Sequence, residues 1–302
     1  MEIDVIGLGV STVDILSLVD HFPAQEEVQR AIDMTVEGGG PVATAMVALA
    51  RLGAKVAMID GIGDDWRGAF IREEFQREDV IEHLTVRKDC TSSTACILVR
   101  NDNGARSIVY SPGTAPELSG ADLPGAAIAS AKILHVNGRH WEACLQAVRI
   151  AREADVRVSF DGGAQRYRPE MEQLVPLTDI CIVARDFAEK YTHETDIHKS
   201  AEMLLESGPG LVVITDGIKG SWVHSREAQA FHQPAYQLPR VVDTTGCGDS
   251  YHGAFLFGLL KGFGLERTAA IASAVAGLNT QRLGGRSGLR TYPQVDEFLK
   301  GI

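Results

Sequence analysis

Six short apolar runs, separated by stretches with helical spacing, constrain the fold of this chain more than any other feature. The strand-like runs are IDVIGLGV (3–10), KVAMIDGIG (55–63), AKILHVNG (131–138), VRVSFDGG (156–163), DICIVA (179–184) and GLVVITDG (210–217). Between them lie PVATAMVALARLG (41–53), RGAFIREEFQRED (67–79), WEACLQAVRIAREA (141–154) and KSAEMLLESG (199–208), which read as amphipathic helices. Near-continuous apolar strands alternating with helices predict an α/β fold with a parallel sheet covered on both faces. Right-handed crossovers then bring the strand C-termini, and any ligand, to one edge.

Two segments interrupt that rhythm. Residues 11–38 alternate polar and apolar side chains in DILSLVD and again in QRAIDMTV, without a strong helix between. Residues 91–111 read as a hairpin, CILV and SIVY joined by NDNG. Together they predict a small separate β-sheet over the strand edge. The large domain then comprises residues 1–10, 39–90 and 112–302. The alternative is an antiparallel extension of the main sheet. Exposed edges on a small sheet favour pairing with a second copy, so a homodimer is expected.

Charge and cysteine usage narrow the function classes. With 29 Lys and Arg against 40 Asp and Glu, the net charge is −11. Such a balance argues against a general nucleic-acid or anionic-membrane surface, while leaving room for a local phosphate pocket. No window offers 18 uninterrupted apolar residues, and MEIDVIGLGV lacks a basic leader region, so a cytoplasmic location is expected. Five dispersed cysteines with no CxxC read as free thiols, and nine histidines form no metal-binding cluster. GLGVST (7–12) has no third glycine and is not a dinucleotide fingerprint.

The chemistry concentrates in VVDTTGCGDSYHGAFLFGLLKG (241–262). An apolar, small-residue helix is expected to begin near Gly248 or Asp249, directly after a glycine-rich loop. Gly246, Cys247, Gly248 and Asp249 would then offer converging N–H groups and a positive helix terminus, an anion hole. An aspartate at such a place makes sense as an ionised base beside a transferring phosphoryl group, ready to take a proton from an attacking hydroxyl. The same positive field is expected to lower its pKa. A plain helix cap needs one Ser, Thr, Asp or Asn, which leaves the rest of DTTGCGD unexplained.

At these residues the sequence resembles the ribokinase-like (phosphofructokinase B-type) carbohydrate kinases. EGGGPVATAMVALARLGAKVAMIDGIGDDWRG (37–68) is similar to that family's N-terminal signature, VDILSLVDHFP (13–23) to its first lid strand, and TDGIKGSWV (215–223) to its nucleotide-site turn. The resemblance implies a three-layer α/β/α sandwich with a mostly parallel central sheet and a small β-sheet lid. It also implies ATP as phosphoryl donor with Mg2+, and a K+ ion nearby. KILHVNGRHWEA and VARDFAEKY look like the ketohexokinase branch; EGGGPVATA, TTGCGDSYHGAF and RLGGRSGL are similar to sulfofructose kinases.

Site roles follow from the resemblance. Asp249 would be the catalytic base, with Gly246, Cys247 and Gly248 as the anion hole. Asp14 would accept hydrogen bonds from sugar hydroxyls, with a solvated strand-end residue as the alternative, while Gly38, Gly39 and Gly40 let backbone approach the sugar. Thr215, Gly217 and Gly220 would shape the nucleotide pocket, Lys219 reaching a phosphate. Asp243, Thr245 and Gly284 resemble the monovalent-cation loop. Asp161 ends a strand facing the site. Arg139, after VNG, would bind the far end of the substrate, or else form an ion pair on the first helical turn.

Departures from the family pattern are visible too. Ala43 replaces an expected asparagine, and ARDF (184–187) replaces NxxE, leaving Asp186 or Glu189 to support magnesium. Positive contacts expected for a sulfonated sugar fall near Val28 and Val109. Two other readings stay open: a nucleoside kinase of the same fold, with Phe22 and Tyr110 as candidate base contacts, and a non-catalytic sugar- or nucleotide-binding relative.

Overall fold

The computed structural model describes residues 2–301. The chain enters through β1 (Val5–Leu8), leaves the main sheet through β2 (Thr12–Val19) and β3 (Asp33–Gly39), and returns by α1 (Pro41–Leu52) to β4 (Val56–Gly63). Helix α2 (Trp66–Arg77) leads to β5 (Ile81–Arg87), and β6 (Thr94–Arg100) with β7 (Arg106–Ser111) makes a second excursion. Helix–strand units follow: α3 (Gly125–Ser130) with β8 (Ile133–Val136), α4 (Trp141–Glu153) with β9 (Arg157–Gly162), and α5 (Met171–Leu174) with β10 (Ile180–Ala184). Helices α6 (Arg185–Thr192) and α7 (Ile197–Ser207) precede β11 (Leu211–Thr215). Strands β12 (Ser221–Ser225) and β13 (Phe231–Gln233) then lead to α8 (Cys247–Leu260), α9 (Leu265–Asn279) and α10 (Tyr292–Lys300).

The large sheet has nine strands in the order β13-β12-β11-β10-β9-β8-β1-β4-β5, with every pairing parallel except the antiparallel β11–β12 and β12–β13 pairs at one edge. Alternate residues of each strand face opposite layers. Val5, Val56 and Met58 join the core with α1, α8 and α9, while Ile6, Leu8, Ala57 and Ile59 join the core with α4, α6 and α7. This is the three-layer sandwich. Sequence patterning assigned no strand to IEHLTVR, because β5 is an edge strand with mixed polar residues, six of its seven half-buried.

The two excursions form their own four-stranded sheet, β3-β2-β6-β7, not an extension of the large one. Strands β6 and β7 pair as the expected hairpin, Thr94 opposite Ser111. One face of this sheet (Leu16, Leu18, Ala95, Ile97, Val99) packs on Val242 and Leu283 beside the start of α8. The order of the large sheet reverses at β1, which lies between β8 and β4. A crevice outside the strand C-termini is expected at such a switch point, and the small sheet stands there.

Local sequence explains the joints. Helix α1 starts with Pro41 at its first turn and stops at Gly53, which takes a left-handed φ of 99°. In GDDWRG, Asp65 caps α2 by accepting the Gly68 N–H at 3.1 Å, and it also accepts the Ser92 N–H and O–H. That motif is thus a structural clamp between α2 and the approach to β6.

Candidate active site

The turn before α8 is organised by Asp243, which is fully buried. One carboxylate oxygen accepts the Thr245 N–H at 2.8 Å and the other the Gly284 N–H at 2.9 Å, tying the loop to the glycine-rich segment 284–288. Gly246 takes a φ of 70° with its α-carbon facing the Gly285 carbonyl, a place where a side chain has neither the conformation nor the room. The helix then begins at Cys247, one residue earlier than expected. Its first-turn donors are free in the way a helix terminus dictates. The Cys247 N–H makes only a long 3.4 Å contact with the Thr244 carbonyl, and those of Gly248 and Asp249 find no acceptor among the described residues. A Cβ on Gly248 would meet nothing within 4 Å, so the surface beside this residue is open. The Cys247 thiol is pushed up to about 12 by burial and stays neutral.

Asp249, the residue after Gly248 in the helix, has its side chain 19% exposed. Arg166, from the loop after β9, brings a guanidinium nitrogen to 3.7 Å of its carboxylate and to 3.2 Å of Asp161. Below them Asp161 is buried against His252, whose Nε2 lies 3.4 Å away. Burial raises the Asp249 pKa, and the Asp161 charge adds to this, against the opposing pull of Arg166. The expected lowering by the helix terminus is therefore corrected: desolvation and a second carboxylate outweigh it. Burial likewise pushes His135, 5.7 Å from His252 ring to ring, down to about 3, so it is neutral.

Asp14 faces this centre from β2 and is 8% exposed. Burial raises its pKa to about 6, against a 2.5 Å hydrogen bond from the Thr12 hydroxyl and the charge of Arg286. The glycine turn has a different local cause from the one expected. A side chain at Gly38 would collide with the Arg286 guanidinium, one at Gly39 with the Asp14 carboxylate, and one at Gly40 (φ 90°) with the Val10 carbonyl. The glycines make room for the site's own side chains.

Arg139 donates its backbone N–H to Asn137 and lies 3.4 Å from the Tyr110 hydroxyl of β7. It reaches the small sheet rather than an ion pair, since no carboxylate lies within ion-pair distance among the described residues. Val28 and Val109 are both largely exposed, at 99% and 73%.

At the other end, Thr215 closes β11, and Gly217 and Gly220 take φ values of 53° and 94° in the turn to β12. Lys219 is held 3.1 Å from Asp216, which also binds Arg185, so its charge already has a partner. Glu189 pairs with Arg185 at 2.8 Å, and Asp186 accepts the Gln165 N–H at 2.7 Å. Both carboxylates thus carry protein partners while staying about one-third exposed. Near the Asp243 loop the buried Thr245 Oγ1 and Asn279 Oδ1 have no hydrogen-bond partner among the described residues. Such orphaned oxygens suit a weakly hydrated monovalent cation.

Several members of the site gave no signal in the sequence. Arg106 of β7 donates to the Thr244 hydroxyl at 2.7 Å, and that hydroxyl donates to the Gly104 carbonyl, docking the hairpin tip on the α8 loop. Buried Arg286 donates to the Gly39 carbonyl at 2.8 Å and to Thr44, and lies 3.7 Å from Glu74. Asp60, within β4, binds the Ser11 N–H and His140, fixing the junction between the two sheets.

With this geometry in place, the comparisons with known proteins are informative. The chain matches the family described as pfkB family carbohydrate kinase over residues 2–291. It is 30% identical to a sugar kinase of Archaeoglobus fulgidus, described as uncharacterised, over 80% of this chain and 98% of that one. It is 23% identical to the ketohexokinase of Mus musculus, over 91% and 95%. Among solved structures, Arabidopsis thaliana ribokinase complexed with ribose and ATP superposes with a TM-score of 0.83 at 22% identity, over 99% of both chains.

Proposed function

The chain belongs to the pfkB family of carbohydrate kinases, and within it we propose an ATP-dependent sugar kinase acting on a primary hydroxyl of a small ketose-type sugar or sugar derivative. The observation that carries this reading is a partly exposed carboxylate, Asp249, in the same first turn of α8 as N–H groups that have no acceptor among the described residues. A base beside an anion hole is what in-line phosphoryl transfer to an alcohol requires.

In this reading the sugar lies under the small sheet, which acts as the lid. Asp14 accepts two of its hydroxyls and Arg139 lies at its far end. ATP runs along the strand C-termini past Thr215, Gly217 and Gly220 toward α8. Asp249 takes the proton of the attacking hydroxyl. The N–H groups of Cys247, Gly248 and Asp249 stabilise charge spreading over the transferred group, and the docked hairpin excludes water. Magnesium, entering with ATP, would supply charge neutralisation. A K+ ion, if bound, would use Thr245 and Asn279 oxygens beside the loop that Asp243 organises.

The displaced pKa of Asp14 gives a pH signature. Protonation removes an acceptor that two hydroxyls need, so KM for the sugar is expected to rise as pH falls through about 6. The sign for stability is opposite. A carboxyl whose folded pKa is raised contributes stability below its unfolded value, lost as pH rises through about 6. Asp14→Asn is thus expected to melt higher than the parent at pH 8 while losing sugar binding. A lower melting temperature, with sugar KM flat across pH 5–8, contradicts the assignment.

The homodimer rests on the outer face of the small sheet, where Ile15, Val36, Cys96 and Val109 line up across four strands beside the exposed Met34. Light scattering should give twice the chain mass, reduced to a monomer by Met34→Lys with Val109→Lys. A monomeric parent protein removes the proposal.

Substrate class is tested by ADP release from Mg·ATP with fructose, ribose, 2-keto-3-deoxygluconate, sulfofructose, hexose phosphates and adenosine. A sugar-dependent rate supports the reading. A rate with adenosine alone would replace it by the nucleoside kinase, and ATP binding without turnover on any acceptor would point to a non-catalytic relative.

A further inference from the structure

We infer that Arg166 is a positioning residue: anchored on the buried Asp161, its guanidinium holds the Asp249 carboxylate charged and aimed at the acceptor hydroxyl. The inference rests on the reading of Asp249 as the base. Its support is geometric. After β9 the chain turns through Gly163, and the Gln165 N–H is fixed by Asp186 at 2.7 Å. A Cβ on Gly163 would lie 2.6 Å from the Arg166 guanidinium, so a side chain there would push the guanidinium from this place. One nitrogen then stands 3.2 Å from Asp161, which is 1% exposed, and 3.7 Å from Asp249. A single arginine therefore separates two carboxylates that would otherwise face each other across a poorly solvated gap. Like charges so placed cannot both stay ionised near neutral pH.

The charged and titratable groups facing Asp249 are Arg166 and Asp161 from the β9 side, Arg106 from β7, Asp14 from β2 and His252 from α8 itself. Burial raises the proton affinity of Asp249, and Arg166 is the strongest opposing influence, ahead of His252 and Arg106. Arg106 is already held by Thr244. Arginine suits the position because it stays charged whatever its surroundings, and its Nη1 lies between the two carboxylates. Lysine, a compact charge, keeps the field but not the aim.

The test titrates the full-length protein with aspartate side-chain carboxyls labelled with carbon-13. The Asp249 signal is assigned by its loss in Asp249→Asn. In Arg166→Met the Asp249 midpoint is expected to rise by about one pH unit or more, a tenfold gain in proton affinity. Arg166→Lys should stay near the parent value, and Arg166→Met combined with Asp161→Asn should return toward it. On an accepted sugar, the acid limb of kcat/KM should move with the midpoint. An unmoved midpoint in folded Arg166→Met overturns the inference, as does a higher KM for ATP with no change in the pH profile. Should Arg166→Met lose its native circular dichroism, Arg166→Gln is titrated instead. Since the titration needs no turnover, inactivity on every acceptor would count against the kinase reading alone.

Discussion

Replacing Arg286 by methionine is expected to destabilise the fold by about 3–5 kcal/mol, the range for breaking a buried ion pair from one side. The side chain is 3% exposed and serves several partners at once. It donates to the Gly39 carbonyl and the Thr44 hydroxyl and lies within ion-pair distance of Glu74, while its backbone N–H donates to Glu37. Its carbonyl also accepts from Arg51, which in turn pairs with Glu78. Methionine fills much of the same volume but leaves buried Glu37 beside Glu74 without the Arg286 charge, with Arg77 as the remaining partner of Glu74. Burial already raises the Glu37 pKa, and Arg286 is among the influences that oppose it. In urea the midpoint should fall with an unchanged slope, the signature of lost stability rather than an altered unfolded state. A loss under about 1 kcal/mol would mean that the buried carboxylates simply protonate, and that Arg286 is not the element joining the glycine turn to the 284–288 loop.

Asp249→Asn should lower kcat by about 10²- to 10⁴-fold, the usual worth of a positioned general base. Asparagine is nearly isosteric and leaves the first turn of α8 intact, so the amides and the open surface beside Gly248 persist. The dissociation constant of Mg·ATP, measured by calorimetry, should therefore change little. The residual rate reports what positioning and the anion hole supply without a base. Near-normal turnover in the variant would remove Asp249 from the mechanism.

The sequence carried the fold because its parallel strands are buried on both faces and read as apolar runs. Strand β5 escaped because an edge strand is half-solvated and its pattern is mixed. Asp14, Gly246 and Asp249 were legible because each belongs to a local motif. Arg106, Arg166 and Arg286 were not, since their meaning lies in partners far along the chain: 138 residues to Thr244 for Arg106 and 249 to Glu37 for Arg286. The glycine turn shows the same limit. Its three glycines signalled close approach, but not that the approaching groups are the Arg286 and Asp14 side chains and the Val10 carbonyl. The direction of the Asp249 pKa was misread for a related reason. A helix terminus is visible in sequence, whereas burial beside Asp161 exists only after folding.

The most direct measurement is a proton-coupled phosphorus-31 spectrum of the enzyme turning over Mg·ATP with an accepted sugar. The account predicts ADP and a new phosphomonoester signal split into a triplet by two methylene protons, absent with Asp249→Asn. A doublet would place the phosphate on a secondary hydroxyl, contradicting the proposed acceptor. Inorganic phosphate alone, or an unchanged triplet in the variant, would contradict base-assisted transfer by Asp249.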